Sequence, residues 1–219
     1  MNELLGAARS APQGGSPVDL LAMFFLLGLV PLLAVSTTSF ARIVVVLGLL
    51  RSSLGAASLP PNAVIVALAM MLTGAVMNPT LTRINAQAVK PYFSHRLSQS
   101  QALERGADSL REFMQRQVRP SDVAAFARIA RVPLKSAAAA PFAVVAPAFM
   151  VGELRAAFTM DFALALPFAV VDIVVSAVLM SLGMFMVSPA VISLPIKLLL
   201  FVLADGWTLV AGALVASYR

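Results

Sequence analysis

The sequence predicts an all-α membrane protein, built from several kinked hydrophobic helices with a soluble helical segment inserted among them. Three observations carry that expectation. Sixty per cent of the 219 residues are hydrophobic, 12% are charged and the mean hydropathy is +0.91, whereas soluble domains carry about 25% charged residues. So few charges cannot cover a soluble surface. The apolar residues gather into blocks of at least the roughly 20 residues that a spanning helix takes. None of these blocks shows the repeated alternation of a barrel strand, which leaves the helical bundle as the spanning architecture.

Residues 1–19 read as a polar tail. Ser10-Ala11-Pro12-Gln13-Gly14-Gly15-Ser16-Pro17 is loop chemistry and not the apolar core of a signal peptide, and Asp19 is placed to cap the helix that follows. From Leu20 to Leu50 the only charge is Arg42, and from Ser52 to Thr82 there is none. These blocks give helices over 20–50 and 62–78, together a first hydrophobic hairpin over 20–78.

Residues 79–136 form the polar segment. Between Thr80 and Lys135 there are ten Lys or Arg against four Asp or Glu, which accounts for the whole net charge of +6. Ser98 to Val118 places Leu103, Ala107, Leu110 and Met114 on one stripe, with Glu112 and Arg116 as an i,i+4 pair. Arg119-Pro120 stops that helix. Ser121-Asp122 then caps a shorter one through Ala130, ended near Pro133.

Residues 137–219 hold a proline-punctuated helical stretch with Glu153 and Arg155, followed by hydrophobic helices over 162–187 and 191–216. Pro31, Pro147 and Pro167 fall inside apolar stretches, while Pro189 and Pro195 bracket the joint between the last two helices. Proline removes a backbone donor and kinks a helix. Several kinked spans together point to a channel or gate more than to an anchor, since such kinks persist where protein or a cavity satisfies the freed carbonyls.

Composition also excludes chemistry. The chain has no Cys and one His, His95, so a disulfide scaffold, a thiolate site, a His-rich metal centre and a His relay are not expected. There is no convincing Ser/His/Asp set, metal cluster or Gly-rich phosphate loop, so we expect no enzyme activity, no cofactor and no metal. The basic residues are interleaved with acids at helical spacing, which suits a solvated or subunit-facing surface and not a nucleic-acid footprint.

An ionised group in an apolar helix costs roughly 2.5–3.5 kcal/mol on the insertion scale, so each needs a partner or water. Arg42, Asp172, Lys197 and Asp205 are in that position. Counted outward from a turn at Ser188-Pro189, Asp172 and Lys197 would lie at depths about 12 Å apart in straight antiparallel helices. A pair within one chain then needs a kink or a longer loop, and pairing between neighbouring subunits stays equally open. Lys197 and Arg42 could instead snorkel to an interface. A transporter with paired charges near the midplane is the competing reading.

Among the eleven methionines, those in Gly183-Met184-Phe185-Met186-Val187-Ser188-Pro189 stand out. A Met stripe is ordinarily core, but here large side chains lie between a glycine and a proline that break the helix. Several copies around an axis would form a dry constriction that gates by dewetting.

The chain resembles the FliP/SctR family of type III secretion export gates. The resemblance runs through Thr38-Ser39-Phe40-Ala41-Arg42-Ile43-Val44-Val45-Val46-Leu47, Leu50-Arg51, Pro60-Pro61-Asn62 and Leu110-Arg111-Glu112-Phe113-Met114. It continues through Glu153-Leu154, Pro167-Phe168, Asp172, Leu182 to Pro189, Ile192-Ser193-Leu194-Pro195-Ile196-Lys197 and Asp205-Gly206-Trp207. It implies an inner-membrane homopentameric ring that, with SctS-like and SctT-like subunits and then SctU-like and SctV-like components, passes unfolded secreted substrates. It maps a methionine gasket onto Met184, Phe185 and Met186, with Phe in place of the usual middle Met. An acid–base subunit pair maps onto Asp172 and Lys197. Arg42, Glu153, Arg155 and Asp205 are expected to serve assembly. The positive-inside rule would place the basic segment in the cytoplasm, but long polar segments cross regardless of charge, and the resemblance places it in the periplasm. Val187-Ser188-Pro189, where flagellar members usually carry two prolines, and the missing signal peptide favour an injectisome with a role in virulence; a flagellar gate is the alternative.

Overall fold

The computed structural model describes residues 17–56, 59–134 and 136–218. The polar tail before Pro17 lies outside the described residues. The described residues are helical with no strand, and they form two compact units divided after Val35. The first unit holds the greater part of α1, Pro17–Thr37, with Pro31 inside it. Asp19 thus lies within a helix that already begins at Pro17, not ahead of its first turn.

The remaining helices make up the second unit. The expected helix over 20–50 is two helices, because α1 ends at Thr37 and α2 runs Phe40–Ser53. Four consecutive hydroxyl residues, Ser36 to Ser39, offer the backbone side-chain partners that compete with helix hydrogen bonds. The Phe40 amide, for example, donates to Thr38 Oγ1 at 3.4 Å. α3 runs Asn62–Ile84 and continues through a π turn, Asn85–Val89, into α4, Lys90–Phe93. The helix expected over 62–78 is therefore longer, because Pro79 sits inside it without ending it.

α5, Gln99–Gln117, opens with a capping box between Ser98 and Gln101. Its buried side is Ser109, Phe113 and Met114, while Leu103 at the head of the expected stripe is exposed. α6 is Pro120–Ile129, with Pro120 in the first turn and no side-chain cap. The cap expected from Ser121-Asp122 does not form, because the Asp122 carboxylate turns to Arg155. After a short 3₁₀ turn, α7 runs unbroken for 40 residues, Phe142–Ser181, with Pro147 and Pro167 inside it. α8, Pro189–Leu203, contains Pro195 in its body and not at the joint. It meets α9, Gly206–Ala216, at 64°.

Among the described residues, two helices are long and apolar enough to cross a membrane, or up to four spans if each interrupted pair counts as one. α2 lies chiefly against α7 and α3. One core joins Ile43, Leu47 and Leu50 of α2 to Ile65 of α3, Phe168 of α7, Phe201 of α8 and Leu214 of α9. The other joins Met77 of α3, Phe113 and Met114 of α5 and Val123 of α6 to Phe149 of α7. Val76 and Tyr218 pack against both. α7 is thus the common spine, one half holding the polar segment and the other the last two helices.

Candidate functional site

α7 stops at Ser181 because Gly183 adopts φ +74°, a backbone that glycine enters without a Cβ penalty. The Met184 amide donates to the Leu179 carbonyl at 3.0 Å and the Gly183 amide to Met180 at 3.1 Å. This pair of bonds is the Schellman stop, which satisfies carbonyls the helix end would leave open. The helix resumes at Pro189, whose missing amide hydrogen costs nothing at a first helical position. Between these two punctuation marks Met184, Phe185 and Met186 are 43%, 79% and 99% exposed. Three large apolar side chains thus project from a short, well-terminated loop.

The same loop explains how Asp172 and Lys197 meet. With the turn beginning at Leu182, nine residues separate Asp172 from the end of α7 and eight separate Pro189 from Lys197. The two arms therefore reach similar depths, and Lys197 Nζ lies 2.5 Å from Asp172 Oδ2 within one chain. Lys197 also donates to the Ser53 carbonyl at 3.3 Å. Its side chain is buried, whereas that of Asp172 is 45% exposed. The pair borders a cavity of about 490 Å³ shared with Ser52, Ser53, Gly55 and Ser193.

A second charge cluster is closed. Arg42 of α2 and Glu153 of α7 form a buried ion pair with side-chain exposures of 7% and 1%. The Tyr218 hydroxyl donates to the other oxygen of Glu153 and lies 3.2 Å from the Ser39 carbonyl. Arg42 donates to Ser217 Oγ at 2.9 Å, and its guanidinium carbon sits 4.0 Å from the centroid of the Tyr218 ring. Phe113 stacks on that ring at 6.3 Å, which ties α5 into the cluster.

Arg155 forks onto Asp122 with contacts of 2.8 and 3.1 Å, fastening α6 to α7. Asp205 is exposed and makes no cap bond; it holds a left-handed φ of +48° at the bend between α8 and α9. Next to it, any Cβ on Gly206 would overlap the Phe201 ring.

Sequence reasoning missed Ser53, Ser217 and Tyr218, whose parts depend on contacts between distant segments. It also missed Asp161 of α7, which faces Ser53 and keeps Oδ1 buried without a hydrogen-bond partner. The apolar block was read from Phe162, one residue past it. Among the described residues no group of three or more His, Cys, Asp or Glu could hold a metal ion.

The fold and these features define a helical membrane protein with an outward apolar loop and internally paired charges. The chain belongs to the FliP family, whose profile matches residues 23–214, a family of export-apparatus membrane components. It is 47% identical over 203 residues to the flagellar biosynthetic protein FliP of Caulobacter vibrioides, covering 92% of this chain and 76% of that one. It is 43% identical over 205 residues to the protein of the same name from Aquifex aeolicus, covering 92% and 86%. Against that of Bacillus subtilis it is 38% identical over 221 residues, with both chains covered in full. The relatives carry flagellar names, so the expected injectisome branch and its link to virulence find no support, and the flagellar alternative accounts better for the matches.

Proposed function

We propose that this chain is a pore-forming core subunit of a flagellar type III export gate. Copies of it would form a pentameric ring, joined by SctS-like and SctT-like subunits and then by SctU-like and SctV-like components, through which unfolded substrates pass. In this reading the polar segment faces the periplasm. The observation that carries the proposal is the loop from Gly183 to Pro189, which terminates a 40-residue helix and presents Met184, Phe185 and Met186 outward. Copies of that loop around an axis would close the pore by excluding water. The half-open Asp172–Lys197 pair, on the helices flanking the loop, would hold the loop's base and contact a neighbouring subunit.

Replacing Met184, Phe185 and Met186 together with Ala is expected to leave the ring assembled while ions or small dyes leak through. Phe185→Met is expected to stay tight, because it keeps similar apolar bulk with a more pliable side chain. Conductance or dye uptake in cells carrying the assembled gate checks both, and an assembled triple variant as tight as the parent overturns the gasket. Restoration of swimming in a strain lacking its own flagellar FliP tests the branch.

A further inference from the structure

On α2, α3, α7 and α8 the charges come close to pairing off within one chain. The cations there are Arg42, Arg51, Arg83, Arg155 and Lys197, and the acids are Glu153, Asp161 and Asp172. Arg42 takes Glu153 and Lys197 takes Asp172, while Arg83 and Arg155 reach Glu112 and Asp122 of the polar segment. Asp161 and Arg51 are left over, and neither has an ion partner among the described residues. Asp161 faces the Ser53 side chain and keeps Oδ1 buried without a hydrogen bond. Arg51 donates from Nη1 to the Pro60 carbonyl at 3.1 Å and to Asn62 Oδ1 at 2.6 Å, both neutral acceptors. Its Nε is buried without a partner.

The two leftover charges stand back to back. Arg51 and Ser53 are two residues apart on α2, hence about 3 Å apart along its axis and about 200° apart around it. Asp161, against Ser53, and Arg51 therefore flank α2 from opposite sides at nearly one level. Around Asp161 the α7 face is apolar and open, with Phe158, Phe162 and Leu166 exposed. Lipid could cover those side chains, but an unpaired carboxylate beside them is costly in lipid and calls for a cation. We propose that Asp161 receives the guanidinium of Arg51 from a second copy of this chain, with Phe158 and Phe162 at the interface between the two copies. This rests on the ring reading above and names a contact that holds the ring. A ring closes through head-to-tail contacts, in which one face of each copy meets a different face of the next. An acid left over on one side and a cation left over on the other meet that requirement, and closure pairs all of them. A guanidinium suits the role because it keeps its charge where water is scarce and matches the shape of a carboxylate.

The chain has no Cys, so an introduced cysteine reports on its own position. Two differently tagged copies, one with Arg51→Cys and one with Asp161→Cys, are made together in cells that assemble the gate. Rings containing both tags are isolated and treated with a short bismaleimide. A doubly tagged linked product is expected, and it can arise only between copies. Val178→Cys in place of Asp161→Cys, about 25 Å further along α7, should give none. Asp161→Asn keeps the size of the side chain and removes its charge, so its rings should fall apart at about tenfold higher concentration than the parent's. Combining Arg51→Asp with Asp161→Arg should recover much of the ring that either change alone loses. If rings holding both tags give no linked product, or if Asp161→Asn rings are as firm as the parent's, this contact is wrong and the ring reading stands. A parent that forms no ring sinks both. Asp161→Asn leaves Arg51 on Asn62 of its own chain, so it remains informative even if a change at Arg51 impairs folding.

Discussion

Glu153 and Asp172 stand on the same helix, about 28 Å apart along its axis, and each faces a cation from another part of the chain. Glu153 is sealed: both oxygens are engaged, by Arg42 and by Tyr218, and almost none of its surface is exposed. Asp172 meets a buried Lys197 but leaves nearly half of its own side chain open beside a cavity. The first arrangement is complete within one chain and joins α2, α7 and the C-terminal tail. The second has an open side, on which a further chain can act without breaking the pair. Burial of the carboxylate, more than the existence of an ion pair, separates a structural fastening from a surface able to answer to a partner.

The largest effect should come from breaking the sealed pair. Arg42→Ala or Glu153→Ala leaves a desolvated charge alone and is expected to cost about 3–5 kcal/mol, enough to deplete the folded protein. Replacing both with apolar residues of similar volume should recover much of that loss. Thermal unfolding of the detergent-extracted chain checks this, and two single variants as stable as the parent would erase the contrast.

A smaller cost is expected at the open pair. Asp172→Ala strands Lys197 with only the Ser53 carbonyl, but water can enter through the cavity, so destabilisation should stay below about 3 kcal/mol. Recovery of complex by the swap of Asp172 and Lys197, measured by co-purification of copies, would show that the open side is used in assembly. If both single variants assemble and secrete normally, the subunit role of this pair is wrong.

Tyr218→Phe removes one hydroxyl from the sealed cluster while keeping the ring beneath Arg42. The expected cost is about 1–3 kcal/mol, that of an underused buried acceptor. An unchanged unfolding temperature would mean that Arg42 alone satisfies Glu153.

The smallest effect belongs to Arg83 and Glu112, a partly exposed ion pair with side-chain exposures of 35% and 52%. The hydrogen bond from Arg83 holds the Glu112 carboxyl below its ordinary value of 4.5. A depressed carboxyl stabilises the fold above its unfolded pKa, and that contribution is lost as pH falls through the lower folded value. The parent and Glu112→Gln should therefore differ slightly at neutral pH and converge as the pH drops below about 4.5. A difference that persists in strong acid would show that Glu112 acts by packing instead.

Much of this was legible beforehand. The need of Arg42, Asp172 and Lys197 for partners followed from placing charges in apolar helices, and the loop at Met184 followed from Gly183 and Pro189. The choice of partner was not legible for Arg42, since Glu153, Ser217 and Tyr218 are distant in sequence and two of them carry no charge. The depth of the Asp172–Lys197 pair was misjudged because the turn was put at Pro189, whereas Gly183 starts it and shortens the arm on α7. Leu103 was placed on one stripe with Met114 because the two share a helical face, yet Leu103 is exposed while Ser109, Phe113 and Met114 are buried.

Sequence alone therefore determined the class: a run of apolar residues must become a helix when no water is there to satisfy its backbone, and glycine and proline mark where such a helix ends. Tertiary structure decided which charges meet and which stay half open. Those outcomes depend on the relative depth and facing of helices far apart in the chain, and helical periodicity carries no information about either.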